Sequence, residues 1–336
     1  SQTNVPGLRF SAAGGTGYVN PGGLGTLYFP NTLFLSENLA GLFGGGRLFI
    51  PGFTNWAPGS LVVSNCNVTM GEEGFQLAVT GEVRVTTSAG LGLPAGSMLA
   101  CGNLAVSGVS TVTVASLFCT NLSLSTGGGV AVCPATTNWA GGNYGGILSV
   151  SGDVSLAGGS WVFPFSDLSN GAAVLLRMSN LIVDASSGIN ADSKGYGGGG
   201  QNRQISGTGF GPGAGQAVNS GSYNGGGAGY GGDGGVGWAG AGGASYGVAS
   251  NPASPGSGGG GGYFSRAGNG GGLIQLDVAG VVTLNGTLSA NGSPAGDYGG
   301  GGSGGGIRMN CVRLDGSASG LVRANGGNAA NQGGGG

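Results

Sequence analysis

The sequence predicts an all-β chain: a right-handed parallel β-helix, or solenoid, carrying a glycine-rich insertion of the polyglycine II type. Three observations point there. Short apolar or alternating runs bounded by Gly, Asn and Ser recur along the chain, among them "SLVVSNCNVTM", "FQLAVTGEVRVTT" and "ILSVSGDVSLAG". Long Ala/Leu/Glu/Lys runs at a 3.6-residue period do not occur. Two families of internal repeat run through the chain, and repeats at a fixed period mark stacked architectures.

The first repeat sets "GGGRLFIPGFTNWAPG" (44–59) against "GGGVAVCPATTNWAGG" (127–142), without a gap. It predicts a duplicated β-solenoid region over 44–194, preceded by an N-terminal strand and assembly segment over 1–43. The second compares "LIVDASSGINADSKGYGGGG" from Leu181, "VVTLNGTLSANGSPAGDYGGGG" from Val281 and "VRLDGSASGLVRANGGNAANQGGGG" from Val312. Each unit holds a strand, a polar turn, a second short strand, a loop and four glycines. A period of about 34 residues with sharp turns suits one coil of a parallel β-helix. Inward Val, Ile, Leu and Cys would stack along the axis, and Asn and Gly would occupy corners that need φ > 0. The alternative is an antiparallel β-sandwich with hairpins at "LNGT" and "LDGS", since Asn-Gly and Asp-Gly favour tight hairpins.

Residues 195–272 interrupt this repeat and form the predicted insertion; 273–336 resume it as C-terminal coils. From Gly231 to Gly243 every third residue is glycine. About three residues per turn is the period of the polyproline II helix, which makes no internal hydrogen bonds. Side-by-side glycine helices would satisfy their N–H and C=O groups on one another. Interleaved aromatics, Tyr230, Trp238 and Tyr263 among them, would pack the bundle or anchor an interface.

The succession "YNGGGAGYGGDGG…GSGGGGG…GGGLIQLDVAGVVTLNGTLSANG…GGGGSGGGIRM" resembles glycine-rich β-helical modules of very large secreted or surface proteins. The resemblance covers about residues 180–336. It implies extracellular, structural or adhesive roles, and supplies no catalytic residues.

Composition narrows the function classes. The chain has 336 residues, 86 Gly, no His and a formal charge of -2. No basic stripe offers a nucleic-acid surface. No window approaches the roughly 20 apolar residues of a membrane helix. No signal peptide opens the chain, and "SQTNVPGLRF" reads as a mature N-terminus. The absence of histidine removes Ser-His-Asp and Cys-His mechanisms. Five cysteines without C-x-x-C spacing read as buried small side chains, with room for one disulfide in an oxidising location. Glu72, Glu73, Glu82, Asp153, Asp184 and Asp192 are the carboxylates to weigh for glycan cleavage, and turn-forming roles account for them. Four Asn-x-Ser/Thr sequons occur, at Asn67, Asn121, Asn285 and Asn291.

The expected function is therefore an extracellular or cell-surface structural protein, a subunit of a fibre, appendage or surface layer. It is not expected to be an enzyme, and no catalytic residue, metal or cofactor is assigned. Its expected partner is itself. The packing candidates are Trp56 and Trp139 in the repeated "TNWA", with Trp238, Tyr230 and Tyr263. An adhesin or tail-fibre-like module binding surface glycans is the first alternative, and a β-helix polysaccharide-degrading enzyme the second.

Overall fold

The computed structural model describes residues 8–16, 22–135, 144–200, 207–217, 224–262, 265–330 and 334–336. Strand after strand alternates buried aliphatic residues with outward polar ones, as in Leu61–Ser64, Asn67–Met70 and Asp153–Leu156. That period-two pattern lets each strand bury one face while pairing through its edges. Among the described residues there is no helix; the strands form a ten-stranded and a thirteen-stranded sheet.

All strand pairings in both sheets are parallel, and each strand pairs with the corresponding one of the next turn of chain. In the thirteen-stranded sheet Leu61 lies opposite Val83, then Leu104, Leu122, Val154, Leu181 and Val282. A second stack in that sheet runs Leu77, Leu99, Leu117, Leu148, Leu176 and Leu276. The ten-stranded sheet supplies Val68, Leu91, Val112, Val130, Val162, Ile189 and Leu288. All of these are buried. Each such side chain is worth about 1.5–3 kcal/mol by area removed from water, and the stacks are the core.

These registers overturn the antiparallel alternative. Val281–Leu284 and Thr287–Ser289, which flank Asn285-Gly286, belong to different sheets, so "LNGT" is a corner and not a hairpin. The same holds for "LDGS", between Arg313–Gly316 and Leu321–Arg323. A spacing close to the expected 34 residues holds in the last turn, where Leu288 faces Val322, and in the turn that sets Leu122 against Val154. Other turns are shorter: Leu104 faces Leu122 and Val154 faces Leu181. The corners also differ from expectation. Paired left-handed residues occur at Thr87-Ser88, Gly108-Val109, Thr126-Gly127 and Gly158-Gly159. Thr, Ser and even β-branched Val109 adopt φ > 0 there, because each corner is hydrogen-bonded to the one beside it. Ser88 N donates to Gly108 O, Val109 N to Thr126 O and Gly127 N to Gly158 O.

A polar ladder runs along the outside of the thirteen-stranded sheet. Asn121 Nδ2 donates to Asn103 Oδ1, Asn180 Nδ2 donates to Asp153 Oδ1, and the Asn121 and Asn180 side-chain carbonyls accept from Asp153 N and Val281 N. The opening strands of the first repeat, Gly44–Phe49 and Gly129–Val132, both lie in the ten-stranded sheet, while the second "TNWA" lies outside the described residues.

Strand Gly188–Asn190 pairs directly with Thr287–Ser289, although 195–272 lies between them in sequence. That intervening chain contains no strand among the described residues apart from an isolated bridge of Gly262 with Ser265. Its glycine segments bond to one another in a three-residue rhythm. Gly225 N and Ala228 N donate to Tyr298 O and Gly301 O; Gly226 N and Gly229 N to Gln216 O and Gly213 O; and Gly227 N to Gly235 O. Likewise Ala267 N and Gly270 N reach Gly199 O and Tyr196 O, while Gly268 N and Gly271 N reach Gly300 O and Ser303 O. Every third N–H thus addresses the same neighbour.

Close approach makes glycine obligatory at many positions of this region. A Cβ on Gly225 would overlap the carbonyl oxygen of Gly260, and one on Gly271 that of Ala290. The obstacle in both cases is backbone, which cannot rotate away. Gly271→Ala is expected to cost at least about 1–3 kcal/mol, the usual range for overpacking, read as a lower urea midpoint. An unchanged midpoint would contradict the packing described.

Candidate functional site

Of the five packing candidates, three fall on described residues. Trp56 lies on the short strand Asn55–Trp56, its ring 6.3 Å from Phe53, which stands 5.2 Å from buried Phe75. It packs against the core. Trp238, by contrast, is 73% exposed in the glycine segment, near Val236 in sequence, which is also exposed. Tyr230 is half-buried and meets Tyr246 edge-to-face with centroids 4.9 Å apart. Trp139 and Tyr263 lie outside the described residues.

Tyr230 and Tyr246 line a cavity of about 240 Å³ with Val248, Pro252 and the backbone around Gly231 and Gly247. The Tyr246 hydroxyl donates to Pro255 O and accepts from Ser257 Oγ. Ser257 N in turn donates to Ser303 Oγ, so this ring ties the cavity to the buried glycine strands. The composition gave no signal for Tyr246 in particular; it was one aromatic among several in a glycine run. A second hollow, of about 360 Å³, lies on the outer face of the ten-stranded sheet. Its floor includes Gly90 and Gly92, between Asn67 and Thr69 on one side and Thr111 and Thr113 on the other.

The weighed carboxylates are dispersed and locally engaged. Glu82 pairs with Arg84 at 2.8 Å, and both are exposed. Asp192 Oδ1 accepts from Ser289 Oγ and Asn291 N, each at 2.6 Å, joining two successive coils. Glu72 and Glu73 fall in the connection between Asn67–Met70 and Gln76–Thr86, and Asp184 in a turn where Ser187 N donates to its carbonyl. Among the described residues no group of three or more His, Cys, Asp or Glu side chains is placed to hold a metal ion. No helix among them is long and apolar enough to cross a membrane.

The chain's single lysine was not singled out by any motif. Lys194 Nζ stands 5.2 Å from the ring centroids of both Phe163 and Phe165, and donates to Asp192 O at 3.1 Å. Burial lowers its pKa, partly offset by the Asp192 charge. It acts as a clamp on a corner, its stem covering rings and its charge capping a carbonyl.

The two ends of the stacks differ. At one end Phe10, Phe29, Phe34 and Phe43 form a cluster, with Phe29 and Phe34 centroids 3.9 Å apart and Phe10 and Phe29 at 4.8 Å. Phe43 is fully buried beneath it. At the other end, strands Gly306–Asn310, Arg313–Gly316 and Leu321–Arg323 each have a neighbour on one side only. Leu314 faces Val282 and Val322 faces Leu288, so both continue interior stacks, yet they are 55% and 49% exposed. The repeat units assigned both residues to strands; their stack positions and their exposure come from strand pairing across the sheets.

No family model matches this chain, and neither does any curated protein or solved structure.

Burial raises the phenol pKa of Tyr196, Tyr230 and Tyr246, all set in the glycine region. The folded state therefore favours the neutral phenol. That contribution is complete below the unfolded value of about 10 and is lost as pH rises through the folded values. An absorbance titration should show the native phenolate curve displaced upward from that of urea-unfolded protein. Superimposable curves would contradict this burial.

Proposed function

We propose that the chain is a structural module of an extracellular or cell-surface assembly: a right-handed parallel β-helix carrying a polyglycine II bundle, which joins copies of itself through its exposed last coil. Parallel crossover connections are almost always right-handed. The uniform parallel registers and the two-sheet alternation support the β-helix. The three-residue rhythm of hydrogen bonds supports polyglycine II, whose turn holds about three residues.

The observation that carries the functional reading is the contrast between ends. Terminal strands at both ends pair on one side only, but the apolar stacks are covered at the aromatic end, where Leu61 and Leu77 are buried, and uncovered at the other, where Leu314 and Val322 are exposed. An uncovered strand edge is a template for further strand pairing. The surface offers little charge to oppose close approach, with 10 basic and 12 acidic residues in the whole chain.

A glycan-binding module is the second reading. It draws on exposed Trp238 and on the Tyr230–Tyr246 cavity, both in the glycine region. Cleavage of polysaccharide draws no comparable support, since Asp192 is occupied within a corner.

Sedimentation and electron microscopy over a concentration series test the assembly reading. Wild-type protein is expected to form regular end-joined particles or filaments. The double variant Leu314→Lys, Val322→Lys is expected to stay monomeric with an unchanged circular dichroism spectrum. Wild-type protein that remains monomeric at every concentration would overturn the proposal.

A further inference from the structure

Two of the five cysteines meet. Cys101 lies in the strand Met98–Val106 and Cys119 in Ser116–Leu124. These strands are parallel neighbours, and Cys101 stands directly opposite Cys119. Registered residues of adjacent strands point to the same face, with the strands about 4.8 Å apart. Disulfides accept Cα separations of about 4.4–6.8 Å. The pair occupies one column of the sheet, between Val79, opposite Cys101, and Val150, opposite Cys119. The neighbouring Cys101 thiol together with burial holds the Cys119 thiol protonated well above its ordinary range. Cys66, Cys133 and Cys311 fall outside the strands, so no strand register sets them against a second cysteine.

We infer that Cys101 and Cys119 are an oxidation site, a pair placed to form a disulfide that staples two adjacent coils. Their exposures set the order of events. Cys119 is buried and Cys101 partly exposed, so Cys101 meets the oxidant. With a small-molecule disulfide such as oxidised glutathione, the Cys101 thiolate attacks one sulfur. The reagent's S–S bond breaks and one glutathione thiolate leaves. Cys119 then gives its proton to solvent, its sulfur attacks Cys101 Sγ, and the second glutathione thiolate leaves. Two protein thiols are oxidised and one reagent disulfide is reduced. The link would close a short loop of chain within the sheet and pin its register, since a one-residue slip would turn every side chain to the other face.

Full-length protein treated with oxidised glutathione, then alkylated in denaturant and digested, tests the pairing. Trypsin leaves both cysteines in one peptide, because no Lys or Arg occurs between Arg84 and Arg177. A protease cutting after Phe118 separates them. The expected product is a Cys101–Cys119 linked peptide, lighter by two hydrogens and released by dithiothreitol. The other three thiols should be recovered alkylated. Oxidised protein should melt above reduced protein, and Cys101→Ser should remove both the link and that difference. Complete alkylation of Cys101 and Cys119 after oxidation of folded protein would overturn the inference. So would a linked peptide joining either of them to Cys133.

Discussion

Nearly every stretch of this chain takes its backbone hydrogen bonds from a different stretch. Without helices among the described residues, a segment cannot satisfy its own N–H and C=O groups except at turns, and buried ones left unpaired are costly. The sheets meet this demand by setting each coil on the next. The glycine region meets it by setting each segment among several others, every third N–H on the same neighbour. Both halves are one solution with two geometries: a period of two where side chains fill the core, a period of three where backbone itself does.

Magnitudes show why the two halves depend on each other. Ordering a residue's backbone costs about 1–2 kcal/mol, and glycine loses most. A typical hydrogen bond returns about 0.5–1.5 kcal/mol net, and Cα–H···O contacts add less. A glycine bundle alone is therefore marginal. Here it is anchored to the coils: Gly272 N donates to Ala191 O and Gly305 N to Ala290 O. The aliphatic stacks supply stability that the glycine segments lack, and those segments in turn donate to strand-end carbonyls such as Ala191 O and Ala290 O.

Much of this was legible because periodicity survives in sequence. Alternation marked the strands, and the repeats set units starting at Leu181, Val281 and Val312 against one another, close to the observed register of Leu181, Val282 and Leu314. The hairpin reading of "LNGT" was the natural competitor, since Asn285-Gly286 suits a tight turn equally well; only tertiary pairing assigns its flanking strands to separate sheets. Coil length was misjudged from the last turns, because corners of different size bring different lengths of chain back to the same register. Left-handed Thr87, Ser88 and Val109 were illegible, since their conformation is set by the corner next to them and not by propensity. Of the packing residues, Trp56 is partly buried against the core and Trp238 is exposed. The two sit in similar local sequences of small residues, and burial is decided by distant chain.

The glycine segments are held by backbone hydrogen bonds to one another as the strands of the sheets are. Amide hydrogen exchange resolved to single residues tests it most directly. Gly225–Gly229, Gly256–Gly261 and Gly299–Gly302 are predicted to exchange with protection comparable to that of Leu122 or Val154 in the stacks. Exchange of those segments at the rates of an unfolded chain, while the stacks stay protected, would contradict the account.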